Sequence, residues 1–226
     1  MSKEIFSIAI DGPAGAGKST IAKLLAKRLG VIYVDTGAMY RAMALYMLRK
    51  GVDLSDAAAV SATCVSADIT IAFEEGVQQV ILNGENVSGL IRTEEVSAAA
   101  SKTSVNPDVR AKLVELQKKL AGEKSLVMDG RDIGTVVLPK AEVKIYLSAS
   151  SAVRAKRRYD ELIAKGEECD LAAIEAEIIE RDERDMKREI SPLKQAEDAI
   201  LVDSSDMSIE EVEEKLLSIV KEKGLG

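Results

Sequence analysis

Gly12-Pro13-Ala14-Gly15-Ala16-Gly17-Lys18-Ser19 stands between a short apolar run and an amphipathic segment. The run before it, Ile5 to Ile10, reads as a buried strand. The segment after it, Thr20 to Leu29, carries apolar residues at 21, 24, 25 and 29, one face of a helix. Strand, glycine-rich loop and helix together frame a phosphate-binding loop. The glycines let backbone N–H groups close around a polyphosphate, and the helix start adds its partial positive charge. In such a loop Lys18 reaches the β- and γ-phosphates, and the Ser19 hydroxyl holds Mg²⁺. The expected ligand is a nucleoside triphosphate, contacted by Gly12 to Ser19 and by Thr20 at the helix start.

Outward from the loop, further apolar runs stand at 31–34, 125–128, 143–147 and 199–202. Most are separated by helical patterns, which implies a five-stranded parallel sheet flanked by helices, an α/β fold of the P-loop NTPase class. Asp35, Asp129 and Asp203 each stand just past the carboxyl end of a run, the edge where open α/β sheets bind ligands. Residues 68–88 depart from this rhythm. Ile69, Ile71 and Phe73 alternate with small or polar residues, and Gly76 and Asn83-Gly84 are turn signals. A small antiparallel β insert is expected there, then helices at about 93–103 and 106–121. Residues 150–190 are helical and highly charged, broken at Gly166 into a hairpin, and 208–222 is a surface helix. The division expected is a single domain. Its core is about 1–35, 123–149 and 189–226, with an excursion that carries the insert at about 36–122 and the charged helical stretch at about 150–188.

Composition narrows the chemistry. The chain has 226 residues and is 46% hydrophobic, enough for one α/β core. Its formal net charge of −7 disfavours a nucleic-acid binder, which needs a basic surface to displace counterions. The absence of histidine removes Ser-His-Asp and Cys-His catalysis. Cys64 and Cys169 form no metal pattern and suit a reducing compartment. The first strand begins within a few residues of Met1, leaving no room for a secretory signal, and no apolar run approaches the ~20 residues of a membrane span. A cytoplasmic monomer that avoids membranes and nucleic acid is the expectation.

Asp35-Thr36-Gly37-Ala38-Met39-Tyr40-Arg41 follows the second strand; Thr36 is read as the helix N-cap, where a phosphate could sit beside Arg41. Asp129-Gly130-Arg131-Asp132-Ile133-Gly134-Thr135 follows the third core strand. Asp129 there is positioned like a Walker-B carboxylate, holding Mg²⁺ through water. The run Arg154, Lys156, Arg157 and Arg158 reads equally as a solvated face or as a cationic lid, in which Arg157 would contact ATP and assist transfer. Arg181, Asp185 and Arg188, four and three apart, fall on one helix face and read either as a salt-bridge ladder or as ligand contacts.

With the phosphate loop, the strings at 35–41 and 129–135 and Arg181-Asp-Glu-Arg-Asp185-Met-Lys-Arg188 make the chain resemble the bacterial cytidylate kinases over essentially its whole length. The resemblance implies transfer of the γ-phosphate of ATP to CMP and dCMP by a kinase whose monophosphate-binding region with its insert is about 36–122 and whose lid and following helix are about 150–188. It implies that Ser101, Arg110 and Asp132 read the cytosine edge. Thr36, Arg41, Arg131 and Arg188 would hold the acceptor phosphate region, with Tyr40 beside them, and Arg181 and Asp185 would contact sugar or phosphate. Lys18, Arg131, Arg157 and Arg188 would serve the transfer itself. Chemically, an acceptor Asp132 and a donor Arg110 match cytosine, whereas uracil would set a carbonyl against the carboxylate. Two alternatives stay open: a P-loop kinase of another small acceptor such as UMP, and a non-catalytic nucleotide-binding module. Neither the Asn-Lys-x-Asp string of GTPase switches nor the Leu-Ser-Gly-Gly-Gln string of transport ATPases is present.

Overall fold

The computed structural model describes residues 5–225, in two compact units: Phe6–Val31 with 126–225, and Ile32–Ser125 with Ile5. The strands of the first unit are β1 (Ser7–Asp11), β6 (Leu126–Gly130), β7 (Val143–Ser148) and β8 (Ile200–Asp203). They run parallel in the order β6-β1-β7-β8, with Ile8 opposite both Val127 and Val143. The strand β2 (Ile32–Asp35) belongs to the second unit. Ile8, Ile10, Leu126, Met128, Ile145 and Leu147 are buried, as expected of a parallel sheet covered on both faces. The helices α1 (Lys18–Leu29) and α8 (Ile209–Glu222) pack together, α1 also lying on β6. A hairpin of α6 (Ser151–Ala164) and α7 (Leu171–Met186) completes this unit, turning at Gly166.

The second unit is built on α2 (Thr36–Arg49), whose buried Met39, Met43 and Met47 recur every four residues along one face. Around it lie α3 (Ala57–Cys64), α4 (Glu94–Thr103) and α5 (Pro107–Glu123). The antiparallel insert is β3 (Ile69–Glu74), β4 (Val77–Leu82) and β5 (Glu85–Asn86), paired from Ile69 opposite Leu82 to Glu74 opposite Val77. Its Gln78 amide completes the backbone at the end of β2: Asp35 N donates to Gln78 Oε1 at 2.7 Å, and Gln78 Nε2 donates to Asp35 O at 3.2 Å.

The α/β architecture and the antiparallel insert are both present. Three local expectations need correction. Ile5 and Phe6 precede β1, because apolarity marks burial but only the ladder marks pairing. Asp35, Asp129 and Asp203 lie within the last two residues of β2, β6 and β8 rather than beyond them. Thr36 is not the cap of α2; Asp35 is, its Oδ1 accepting from Ala38 N at 2.9 Å. A carboxylate accepts more strongly than a hydroxyl from an exposed helix start, so Asp35 takes the cap and Thr36 becomes the first helical residue.

Buried Asn106 sets the place of α5. Its Oδ1 accepts from Asp108 N at 3.0 Å and Val109 N at 3.2 Å, while its Nδ2 donates to Ala57 O and to Ser61 Oγ. Asn106→Ala removes a cap and takes the Asn106 donor from the Ala57 carbonyl. It should cost about 2 kcal/mol, read as a lower denaturant midpoint with an unchanged slope.

Candidate active site

Seven of the eight α-helices among the described residues carry a side-chain cap: Asp35, Asp56, Thr93, Asn106, Ser150, Asp170 and Ser208. The exception is α1, whose N-cap is Gly17 in the left-handed region, with no side-chain acceptor. Its first N–H groups therefore face outward from a glycine loop, as anion binding requires. Gly12 begins that loop at φ 148°, and a β-carbon there would lie 1.9 Å from the Leu147 carbonyl oxygen of β7. Only glycine lets the loop leave β1 so close to the neighbouring strand. Ser19 and Thr20 are exposed in the first turn of α1.

Lys18 is 5% exposed, and its Nζ donates to Pro13 O at 2.6 Å, within the loop itself. Burial, then the Arg131 guanidinium, lower its pKa to about 7 against the upward pull of Asp129, Asp11 and Asp185. A bound polyphosphate would supply the anion that restores the full ammonium charge. Ser19 Oγ donates to Asp129 Oδ2 at 2.9 Å, and Asp129 is buried. Two hard oxygen donors at the mouth of the loop fit Mg²⁺, which keeps several waters and takes its other ligands from phosphate. No group of three or more His, Cys, Asp or Glu among the described residues could hold a metal by itself.

The Asp185 carboxylate organises the cations of this unit. Arg131 Nε donates to its Oδ2 at 2.9 Å, and Arg188 NH2 stands 3.9 Å from its Oδ1. Burial pushes the Asp185 carboxyl up, and Arg131, Arg188 and Arg181 more than reverse this, so its pKa lies below the ordinary carboxylate value. The three residues do not share one helix face, however. The helix α7 ends at Met186 with Lys187 as its C-cap, so Arg188 lies beyond it and folds back, its Nε donating to Asp185 O at 3.2 Å. Asp132 is buried at the start of a π-helical turn, 133–137.

Of the candidate lid cations, Arg154 is buried rather than mobile. It donates to Ala149 O at 2.8 Å, to Ala14 O of the phosphate loop at 3.0 Å and to Asp182 Oδ2 at 2.6 Å. A guanidinium with three acceptors is a brace between loop and hairpin. Lys156 pairs with Asp160, and Arg158 pairs with Glu161, both on the exposed face of α6. Arg157 is exposed and donates to Ser204 O at 2.8 Å.

In the second unit, Arg110 is buried on α5, its guanidinium 5.5 Å from the centre of the Tyr40 ring and its NH1 donating to Ser104 O at 3.2 Å. Ser101 is half-buried on α4. Thr36 is buried at the start of α2. Arg41 donates to Asp35 Oδ2 at 3.1 Å, and its buried Nε has no acceptor among the described residues. Exposed Arg92 donates to the same Oδ2 at 3.2 Å. Thus Asp35, besides capping α2, holds two arginines at the helix start. Arg92 carried no signal in the sequence, since a lone arginine after the insert has no motif around it.

The cytidylate kinase family model matches residues 8–222 of this chain. The chain belongs to the cytidylate kinase family. Cytidylate kinase of Carboxydothermus hydrogenoformans is 51% identical over 96% of this chain and 97% of its own length. That of Lactiplantibacillus plantarum is 50% identical over 99% of this chain and 98% of its own. As a member of the cytidylate kinase family the protein is an ATP-dependent phosphotransferase. A solved structure of an uncharacterized protein from Eubacterium ventriosum has the same fold at TM-score 0.53 and 12% identity, covering 96% of this chain and 98% of its own.

For this cytidylate kinase family member, Gly12→Ala should separate β1 from β7 and cost roughly 3 kcal/mol or more. Thermal melting checks the stability, and titration with ATP checks the accompanying loss of binding.

Proposed function

We propose that the protein transfers the γ-phosphoryl group of ATP to CMP and dCMP, giving CDP and dCDP. The observation that carries this reading is the family match over 8–222, which takes in the phosphate loop and both acceptor strings. ATP takes the N-terminus of α1, with Gly12 to Thr20 around its phosphates. Ser19 and, through water, Asp129 would hold Mg²⁺, which would supply neutralisation of the phosphate charge.

The chain's own groups bind, orient and neutralise. Lys18 meets the β- and γ-phosphates as charge moves to the leaving group. Arg131 and Arg188, already oriented by Asp185, face the transferred group and the acceptor phosphate. Thr36, Tyr40 and Arg41 serve that phosphate region, and Arg41 Nε has an unmet donor to offer it. Arg181 and Asp185 contact the sugar or phosphate. Ser101, Arg110 and Asp132 read cytosine: Asp132 accepts from the exocyclic amine, and Arg110 donates to the ring acceptors. Arg157, at the exposed surface of α6, covers ATP when residues 150–188 close as a lid over the core. The acceptor region is about 36–122. The protein acts as a cytoplasmic monomer on small molecules, consistent with its net charge of −7 and with no described helix being long and apolar enough to cross a membrane.

Incubation with ATP and CMP, dCMP, UMP, AMP or shikimate tests the assignment; CMP and dCMP should be the preferred acceptors, and equal use of UMP would refute it. Lys18→Ala should lower turnover by more than roughly 100-fold with the fold intact, and EDTA should stop it. Asp132→Asn should lower kcat/KM for CMP by about 10- to 150-fold, the worth of a hydrogen bond to a charged group. It should also narrow the CMP-to-UMP ratio. A ratio within twofold of wild type would show that Asp132 does not read the base.

A further inference from the structure

Asp11 belongs to none of the motifs above, yet it touches both ends of one. It is the last residue of β1, buried, and its backbone stands opposite Gly130 in the β1–β6 ladder. Its side chain reaches past the next two residues. Asp11 Oδ1 accepts from Ile133 N at 2.7 Å, and Oδ2 accepts from Gly134 N at 2.7 Å. One residue therefore brackets the dipeptide Arg131-Asp132, holding the chain before it by the ladder and after it by a carboxylate. The following turn is closed onto the same dipeptide, since Val136 N and Val137 N both donate to Asp132 O. Asp132 itself has φ −142° and ψ 25°, outside regular structure, so no helix or strand fixes its direction.

Packing leaves the bracket little slack. A β-carbon on Gly134 would lie 3.3 Å from Asp11 Oδ2 and 3.2 Å from the Lys144 Cδ. Burial raises the Asp11 pKa to about 6, and neighbouring Asp132 adds to this; the two N–H donors and Lys18 oppose it. At neutral pH the group is a carboxylate and both oxygens accept. Two short charge-assisted bonds from one buried anion fix a backbone more firmly than a neutral side chain could.

We propose that Asp11 is a positioning residue for acceptor recognition, setting where Arg131 and Asp132 point by clamping the chain on either side of them. This rests on the reading that Arg131 and Asp132 bind the acceptor. It predicts an asymmetric defect: both hydrogen bonds of the clamp hold the acceptor residues, whereas the ATP loop feels Asp11 only through its charge on Lys18.

The test is a small kinetic series. Asp11→Asn keeps one acceptor oxygen and turns an amide donor toward the other N–H. It should raise the CMP KM about tenfold, narrow the CMP-to-UMP ratio, and weaken the directly titrated ATP Kd by a clearly smaller factor, through the lost pull of its charge on Lys18. Gly134→Ala, which presses on the same carboxylate from the other side, should produce a smaller defect of the same kind. The double variant Asp11→Asn/Asp132→Asn should lose less than the product of the two single losses, since both act through one contact. A CMP KM within twofold of wild type in folded Asp11→Asn overturns the proposal, as do equal losses toward ATP and CMP. Should Asp11→Asn not fold, an unchanged CMP KM in Gly134→Ala overturns it. Asp132→Asn, run alongside, separates the two claims. If it leaves CMP use intact, the acceptor reading fails and takes the clamp with it; if it impairs CMP use while Asp11→Asn does not, the clamp alone fails.

Discussion

A lysine that is 5% exposed, with an arginine beside it, is an arrangement that resists its own charge. Burial and Arg131 both lower the proton affinity of Lys18, and its one hydrogen bond to the loop carbonyl of Pro13 offsets only part of this. The features around it answer that constraint. Asp129, Asp11 and Asp185 each pull the ammonium back toward its charged form. The uncapped start of α1 adds donors without an acceptor. The loop is electrostatically incomplete without a multiply charged anion, and this is a physical basis for its affinity rather than a defect of the fold.

Carboxylates hold the cations and the loops within each unit. Asp35 caps α2 and gathers Arg41 and Arg92. Asp185 orients Arg131 and draws Arg188 back past the end of α7. Asp182 and Ala14 O share Arg154, coupling the phosphate loop to the α6–α7 hairpin. Such pairs contribute little net stability, because desolvating both charges offsets most of their attraction. Their effect is directional. A guanidinium already held in one geometry loses less freedom when a phosphate arrives.

Phosphoryl transfer suits a chain without histidine. A loose transition state needs charge stabilisation and alignment more than a proton shuttle near neutrality. Lysine, arginine and backbone N–H groups provide both. Base recognition asks for something different, a buried polar edge whose groups stay unpaired with the wrong ligand. Arg110, 5.5 Å from the centre of the Tyr40 ring and bonded to Ser104 O, and Asp132 are each buried, the condition that the proposed readers of cytosine have to meet.

The sequence by itself determined the strand–loop–helix frame, because glycine spacing and apolar periodicity are local properties of the chain. It determined the insert, whose alternation and Asn83-Gly84 turn are equally local, and it located the strings at 35–41 and 129–135 that the family match spans. Only the tertiary structure decided how those residues are held. That Asp35 rather than Thr36 caps α2 depends on which oxygen reaches Ala38 N. That Arg188 leaves the helix depends on where α7 stops, and i, i+3, i+4 spacing does not report a C-terminus. The inward turn of Arg154 depends on Ala14 and Asp182, 140 and 28 residues away in sequence. Asp11 and Ile133 are 122 residues apart, so no window along the chain could join them. Periodicity records which face a residue presents; which partner waits there is settled by strands and helices brought together from distant parts of the chain.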